Sequence, residues 1–146
     1  MIDLRSGKIH FDDGISLDGH TTRAGMAVLP NTKIHPSVSG RTQMSIGQHH
    51  SNDGVWGVGL AFVQDSLKQV WLQRLLESTN PAESEWTLEN EKVRKAVHDR
   101  FLEELCESSG QRKQTGHSIE FHFPWGRASS VLDTKGVQAL IVVEYN

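Results

Sequence analysis

The chain has 146 residues, with 15 basic and 18 acidic side chains and a formal net charge of −3. A chain of this length forms one ordinary domain and can bury about two-thirds of its surface without disulfides or a bound metal. Its 36% hydrophobic and 23% charged residues are typical of a globular chain and exclude a disordered or membrane-embedded one. The slightly negative net charge provides no positive electrostatic potential that would attract phosphate groups, so we expect no nucleic-acid partner.

Turn residues divide the first fifty residues into short predicted strands. Residues 8–11 lead through the turn 12–14 into residues 15–17, and the Asp-Gly pair in that turn favours a hairpin because glycine accepts a positive φ. Further short strands are predicted at 24–29 and, where polar and apolar residues alternate, at 42–46.

The most strand-like run of this half, residues 55–63, follows a polar stretch at 48–54 that is typical of a turn. A period of two places four large apolar side chains on one face: Trp56, Val58, Leu60 and Phe62. The other face carries three small residues: Gly57, Gly59 and Ala61. Small residues on a strand predict the close approach of a bulky group. Residues 68–76, which include Trp71, are predicted to form the partner strand.

One segment has clear helical signals. Asn80, Pro81 and Glu83 supply a capping side chain, a first-turn proline and an acid three residues after the cap. A spacing of four predicts a buried stripe, which two further residues widen: Val93, Val97, Phe101 and Leu105, with Ala96 and Leu102 beside them. We therefore predict one long helix over about residues 80–109, packed on the sheet, with a start near Thr87 as the alternative.

The last third returns to strand patterns. Residues 111–116 are polar and predict a mobile loop, after which three apolar residues alternate with polar ones: Ile119, Phe121 and Phe123. Residues 128–132 and 137–145 flank the turn 133–136 as a closing hairpin, and the second of these segments is apolar on both faces, which favours a central position. Together these elements predict a single α+β domain, residues 1–146, with a mostly antiparallel, curved sheet of about seven strands.

The single cysteine and the start of the sequence bear on the cellular compartment. Cys106 has no partner for an internal disulfide, which favours the reducing cytoplasm, and its acidic neighbours predict an inert helix residue. The first residues lack a basic segment followed by an apolar run, and no stretch approaches the roughly 20 apolar residues of a membrane span. We therefore expect a cytoplasmic protein without membrane contact.

Eight histidines raise the question of a metal or acid–base centre. His49 and His50 are adjacent in the predicted turn and have no further ligand at zinc spacing. Glu120 and His122 share a strand face, where a carboxylate and an imidazole can act as acid and base, although a solvent-facing polar edge explains them equally well. The sequence has no nucleophile elbow, phosphate loop or dinucleotide fingerprint. We predict no metal, cofactor or catalytic residue, with a small enzyme built on Glu120 and His122 as an alternative.

A predicted excess of open sheet surface suggests a partner. Seven strands at about 4.8 Å spacing are roughly 30 Å wide, whereas one helix covers about 10 Å. Apolar residues on both sides of the central strands would then form an open patch that is uncommon in a monomer. The sheet either curls around its small-residue face, or packs against a second copy or a foreign partner. The residues that we expect at a partner surface are Trp71, His49, His50, Lys113, Glu120 and His122.

The C-terminal part carries a series of short motifs. They are Phe123-Pro124-Trp125-Gly126, then Ser130, Asp133-Thr134-Lys135-Gly136 and a final Ile141-Val142-Val143-Glu144-Tyr145. This pattern resembles small, uncharacterised bacterial proteins of the toxin-immunity type, over roughly the last two-thirds of the chain. The resemblance implies a protein-binding protein that occludes the active site of a cognate toxin, and it assigns no residue a role. The sequence is also compatible with a small-ligand-binding module in a curled sheet and with a self-associating homodimer.

Overall fold

The protein is built around one large antiparallel sheet, seen in a computed structural model that describes residues 1–76, 87–107 and 111–146. A separate small sheet contains β1 (Ile2–Asp3), β2 (Lys8–His10) and β3 (Ser16–Leu17). The large sheet contains β4 (Lys33–Ile34), β5 (Arg41–Ser51), β6 (Gly54–Val63), β7 (Ser66–Arg74), β8 (Gln111–Thr115), β9 (Ser118–Phe123), β10 (Gly126–Asp133) and β11 (Gln138–Tyr145). The helices are α1 (Arg23–Ala27) and α2 (Leu88–Cys106).

The large sheet consists of two meanders, β4–β7 and β8–β11, joined side by side. The spatial order is β4-β5-β6-β7-β11-β10-β9-β8, and β7 pairs with β11 in the antiparallel sense. The α+β class, the antiparallel pairing and the predicted central position of the last segment are confirmed. The sheet has eight strands rather than about seven, because the short β4 and the polar β8, whose sequences gave no strand signal, form its two edges.

One face of the large sheet, here called the inner face, holds the hydrophobic core. The predicted face of β6 is confirmed, because its four large apolar side chains are buried: Trp56, Val58, Leu60 and Phe62. The same core cluster contains residues of neighbouring strands and of the small sheet: Ile9, Leu17, Met44, Leu72 and Ile141. Tyr145 Oη donates a hydrogen bond to Gly7 O at 2.9 Å, which fastens the N-terminal segment to the end of β11.

The helix α2 begins at Leu88, directly after Thr87. Thr87 Oγ1 accepts a hydrogen bond from the Asn90 N–H at 3.2 Å, so Thr87 is the N-cap. The later of the two predicted starts is therefore confirmed. The signals at Asn80, Pro81 and Glu83 and the predicted end at 108–109 lie outside the described residues.

The predicted buried stripe of α2 is wrong in its first half. Val93 is 57% exposed and Val97 is 36% exposed, while Phe101 and Leu105 are half-buried at the margin of the core. Of the two widening residues, Leu102 is buried as predicted and Ala96 is exposed. The other buried side chains lie on an adjacent face and are mostly polar: Glu91, Arg94, Lys95, His98 and Cys106. Burial raises the pKa of the Cys106 thiol to about 11, in keeping with the predicted inert residue.

Polar side chains can be buried on α2 because the adjoining strands supply hydrogen-bond partners. The Ala139 N–H donates to Glu91 Oε2 at 2.7 Å, and Glu91 also pairs with Arg94. Arg94 Nε in turn donates to Arg74 O, the last residue of β7, at 2.9 Å. The helix is thus held to the sheet by satisfied polar contacts as well as by apolar packing.

Three segments differ from the sequence predictions. Residues 24–29 lie largely in α1 rather than in a strand, because Thr22 Oγ1 caps the turn by accepting from the Gly25 N–H. The stretch 48–54 is not a long turn, since β5 continues to Ser51 and leaves only two residues before β6. Residues 111–116 contain β8 rather than a loop. The backbone of β8 pairs with β9 even though its side chains are polar and exposed, so the side-chain pattern gave no signal of a strand.

Candidate functional site

The outer face of the large sheet is the side away from α2 and the small sheet. Side chains there are exposed or half-buried, with Ala61 and Ser129 as buried exceptions, whereas those of the inner face are almost all buried. The cross-strand register aligns one row of outer-face residues across seven strands: Ser45, Gly59, Trp71, Val142, Ser129, Glu120 and Lys113. The outer face is therefore a continuous surface on which residues far apart in sequence meet.

Trp71 lies near the middle of this row and packs on the strand beside it. A Cβ atom built on Gly59 would lie 2.9 Å from Trp71 Cε3, closer than side chains normally approach. The bulky group predicted for the small-residue face of β6 is therefore Trp71 itself. The side chain remains half-exposed, so its ring is held in place yet accessible.

One end of the outer face forms an uncharged groove of about 680 Å³. Four glutamines from β5, β7 and the start of β11 surround Trp71, and we call this the amide groove: Gln43, Gln48, Gln73 and Gln138. Gly59 and Leu140 also line it, and none of its described lining residues is ionisable. Gln73 Nε2 is buried and has no hydrogen-bond partner among the described residues. The groove thus combines an aromatic ring with side-chain carboxamides.

The other end of the outer face carries a chain of polar side chains joined by hydrogen bonds and ion pairs, here called the charged ladder: Arg41, Gln69, Glu144, Arg127, Glu120 and His122. Arg41 donates to Gln69 Oε1 at 2.6 Å, and Gln69 Nε2 donates to Glu144 Oε1 at 2.7 Å. Glu144 also pairs with Arg127, whose Nη1 lies 3.7 Å from Glu120 Oε2. The contacts fix these side chains across strands β5, β7, β11, β10 and β9.

Two members of the charged ladder, Glu144 and Arg127, stabilise each other in their ionised forms. Partial burial acts to raise the pKa of Glu144, but hydrogen bonds from Arg127 and Gln69 outweigh it and lower that pKa. The same contact with Glu144 raises the pKa of the Arg127 guanidinium. Both groups are therefore charged at neutral pH and present a fixed pattern of charge to anything that covers the face.

The structure brings five of the six predicted partner residues to the outer face. Trp71 and Lys113 share the row described above, and His50 stands opposite Val55 in the β5–β6 register and is exposed. His49 points to the inner face instead, because adjacent residues of a strand face opposite ways. Its position does not fit the expectation that it belongs to a partner surface.

Buried His49 connects two parts of the fold. Its Nδ1 lies 2.6 Å from Asp13 Oδ2, and its Nε2 lies 3.0 Å from Ile46 O. The ring also packs against Phe11, with centroids 5.2 Å apart. His49 therefore joins the β2–β3 hairpin to β5.

Glu120 and His122 were predicted to share a face, and the structure places them in contact. His122 Nε2 lies 3.1 Å from Glu120 Oε2. The side chain of His122 is 46% exposed and Glu120 is shared with Arg127, so the pair lies open on the sheet rather than inside a cleft. The pair forms one end of the charged ladder.

The four glutamines of the amide groove were not singled out from the sequence. Strand parity alone places Gln73 on the same face as Trp71. The missing information was the register between strands, which brings Gln43 opposite Ala61 and Gln73 opposite Gly57. Pairing across strands was needed to show that the amides converge.

Comparisons with protein-family models, with curated proteins and with solved structures found no match to this chain. Within residues 1–76, 87–107 and 111–146, no three His, Cys, Asp or Glu side chains come together as metal ligands. No helix in those ranges is long and apolar enough to cross a membrane.

Proposed function

We propose that the protein is a cytoplasmic, protein-binding immunity protein, which neutralises a cognate toxin by covering its active site with the outer face. The observation that carries this proposal is the fixed charged ladder beside half-exposed Trp71 on an open sheet face. Protein interfaces typically combine an aromatic anchor near the centre with polar and charged groups at the rim. The outer face has this distribution of side chains.

The size of the outer face suits a protein partner. The six longest strands are β5, β6, β7, β9, β10 and β11, and at about 4.8 Å spacing they span roughly 29 Å. A strand of eight residues such as β11 extends for about 27 Å. The product is roughly 800 Å², which is about what one partner contributes to a specific interface of standard size. A partner of ordinary dimensions can therefore dock without a rearrangement of this sheet.

The charged ladder favours selective recognition. Its side chains already hold one another in place, so binding orders few flexible groups and loses little side-chain entropy. Alternating positive and negative groups match only a partner surface with the complementary pattern of charge. This pattern sets the orientation of the bound partner and disfavours other proteins. An inhibitor that must recognise one toxin needs this selectivity.

We expect a toxin to be encoded beside the gene, and co-expression with that toxin tests the proposal. We expect the two proteins to copurify and the host to survive, and Arg127→Glu to abolish both effects because it breaks the charged ladder at its middle. Lys92→Glu, on the exposed side of α2, is the matched control because it makes the same charge change away from the outer face. Failure to copurify, or protection by a folded Arg127→Glu protein equal to that by the unaltered chain, would contradict the proposal.

A further inference from the structure

Beyond the proposed protein interface, with which it shares Trp71, we infer that the amide groove binds a neutral saccharide. The first argument is charge. The row of the outer face next to Trp71 already contains Gln69 and Glu144 of the charged ladder. Even so, none of the described groove residues is ionisable. A charged ligand in the groove would lose water against Trp71 and Leu140 and gain no counter-charge. The groove therefore selects an uncharged ligand.

The second argument is hydrogen bonding. A carboxamide carries two donors and an acceptor on neighbouring atoms, and this matches adjacent sugar hydroxyls, each of which is both donor and acceptor. None of the four groove glutamines makes a side-chain hydrogen bond to another described residue. Gln73 Nε2 is buried in this state, which is costly, and a ligand oxygen would satisfy it.

The third argument is the aromatic ring. Saccharides present an apolar face of C–H groups, which packs against a flat aromatic ring. Trp71 offers such a ring, held on Gly59 by close contact and therefore ordered before binding. Leu75 and Leu140 extend the apolar wall. The volume of about 680 Å³ is within the usual range of small-ligand sites and is large enough for a disaccharide.

Side-chain NMR signals test this inference directly. Maltose and cellobiose are titrated into ¹⁵N-labelled protein, and the Trp71 indole and glutamine carboxamide signals, assigned with Trp71→Phe and Gln73→Leu, are followed. We expect the Trp71 and Gln73 signals to shift with at least one disaccharide, while those of Trp56 and Trp125 stay in place. Methyl glucuronide should bind more weakly than methyl glucoside, because only the former carries a carboxylate.

Two variants separate binding from folding. Gln73→Leu removes the unsatisfied amide, so it should fold with unchanged or raised stability and yet bind about tenfold more weakly, the loss of one good hydrogen bond. Gln114→Leu, on β8 outside the groove, should bind like the unaltered chain. The inference is overturned if neither disaccharide shifts the groove signals, if shifts appear only in the charged ladder, or if Gln73→Leu blocks toxin binding while no saccharide binds.

Discussion

His98 Nε2 accepts a hydrogen bond from the backbone N–H of Arg74 at 3.0 Å, which ties the middle of α2 to the last residue of β7. The acceptor role places the ring proton on Nδ1, and this atom has no partner among the described residues. The ring is fully buried and stacks on Trp56 with centroids 5.9 Å apart. Burial, and then the nearby cations Arg94 and Lys95, lower the pKa of His98 to about 3.

This contact predicts a histidine-dependent loss of stability in acid. The folded pKa is about 3 and the unfolded value is about 6.5, so the unfolded chain binds the extra proton between them. The contribution of His98 to the free energy of unfolding should therefore be constant above about pH 7 and fall by up to about 1.4 kcal/mol per pH unit below about pH 6. Urea melts at several pH values measure the slope.

Comparison with substitutions isolates the contribution of His98. His98→Gln keeps a hydrogen-bond acceptor but does not titrate, so its stability should depend less on pH than that of the unaltered chain. His20→Gln, at an exposed position, should keep the original slope. If His98→Gln and the unaltered chain show parallel pH profiles, the assignment of a neutral buried His98 is wrong.

The contact between Trp71 and Gly59 predicts different effects of alanine at two neighbouring glycines. At Gly59 a new Cβ would meet the Trp71 ring at 2.9 Å, whereas at Gly57 the nearest heavy atom is Gln73 O at 3.9 Å. We expect Gly59→Ala to cost about 1–2 kcal/mol and to displace the half-exposed ring. Gly57→Ala should be neutral or stabilising by roughly 0.5 kcal/mol, because glycine weakens a strand interior. Denaturant melts of both variants check this, and equal costs would contradict it.

The observed face of α2 predicts which of its apolar residues matter for stability. Leu102 is fully buried, so Leu102→Ala should lower the free energy of unfolding by about 2–5 kcal/mol. Val93→Ala should change it by less than about 0.5 kcal/mol, because Val93 is mostly exposed. Leu102 belongs to both the observed face and the predicted stripe, so the urea unfolding of Val93→Ala is what distinguishes the two. If Val93→Ala lowered the free energy of unfolding by about 2 kcal/mol or more, a loss comparable to that of Leu102→Ala, the sequence-based stripe would be favoured.

The sequence predicted best where apolar alternation was strong. In β6 the large and small residues separate by parity, and the inner face follows directly. The hairpin around Gly14 was predictable for a related reason, since turn residues stand between two apolar runs. In both cases the side-chain pattern alone determines the local structure.

The prediction failed where polar groups are satisfied by distant backbone. Glu91 and His98 look like surface residues in the sequence, yet Ala139 and Arg74 provide their partners across the fold. The amide groove was missed for the same reason, because its glutamines belong to strands whose register is set by pairing. Such contacts depend on tertiary structure and leave no periodic signal.

The contact between His49 and Asp13 predicts a measurable link between the β2–β3 hairpin and the large sheet. Burial acts to raise the pKa of Asp13, but hydrogen bonds from His49 and from the Ile15 N–H outweigh it and lower that pKa. Asp13→Asn removes the charge that faces His49 Nδ1. We expect it to lower the free energy of unfolding at neutral pH by about 1 kcal/mol, which is below the usual value for a charged hydrogen bond because Asp13 is partly solvated.

A matched substitution and a double variant complete this test. Asp12→Asn changes the adjacent exposed acid, whose side chain makes no hydrogen bond to a described residue, and should be close to neutral. Combining Asp13→Asn with His49→Gln should cost less than the sum of the two single changes, because both remove the same contact. Additive losses in the urea melts would mean that His49 and Asp13 do not stabilise each other. In that case the packing of His49 on Phe11 would be what holds the hairpin to β5.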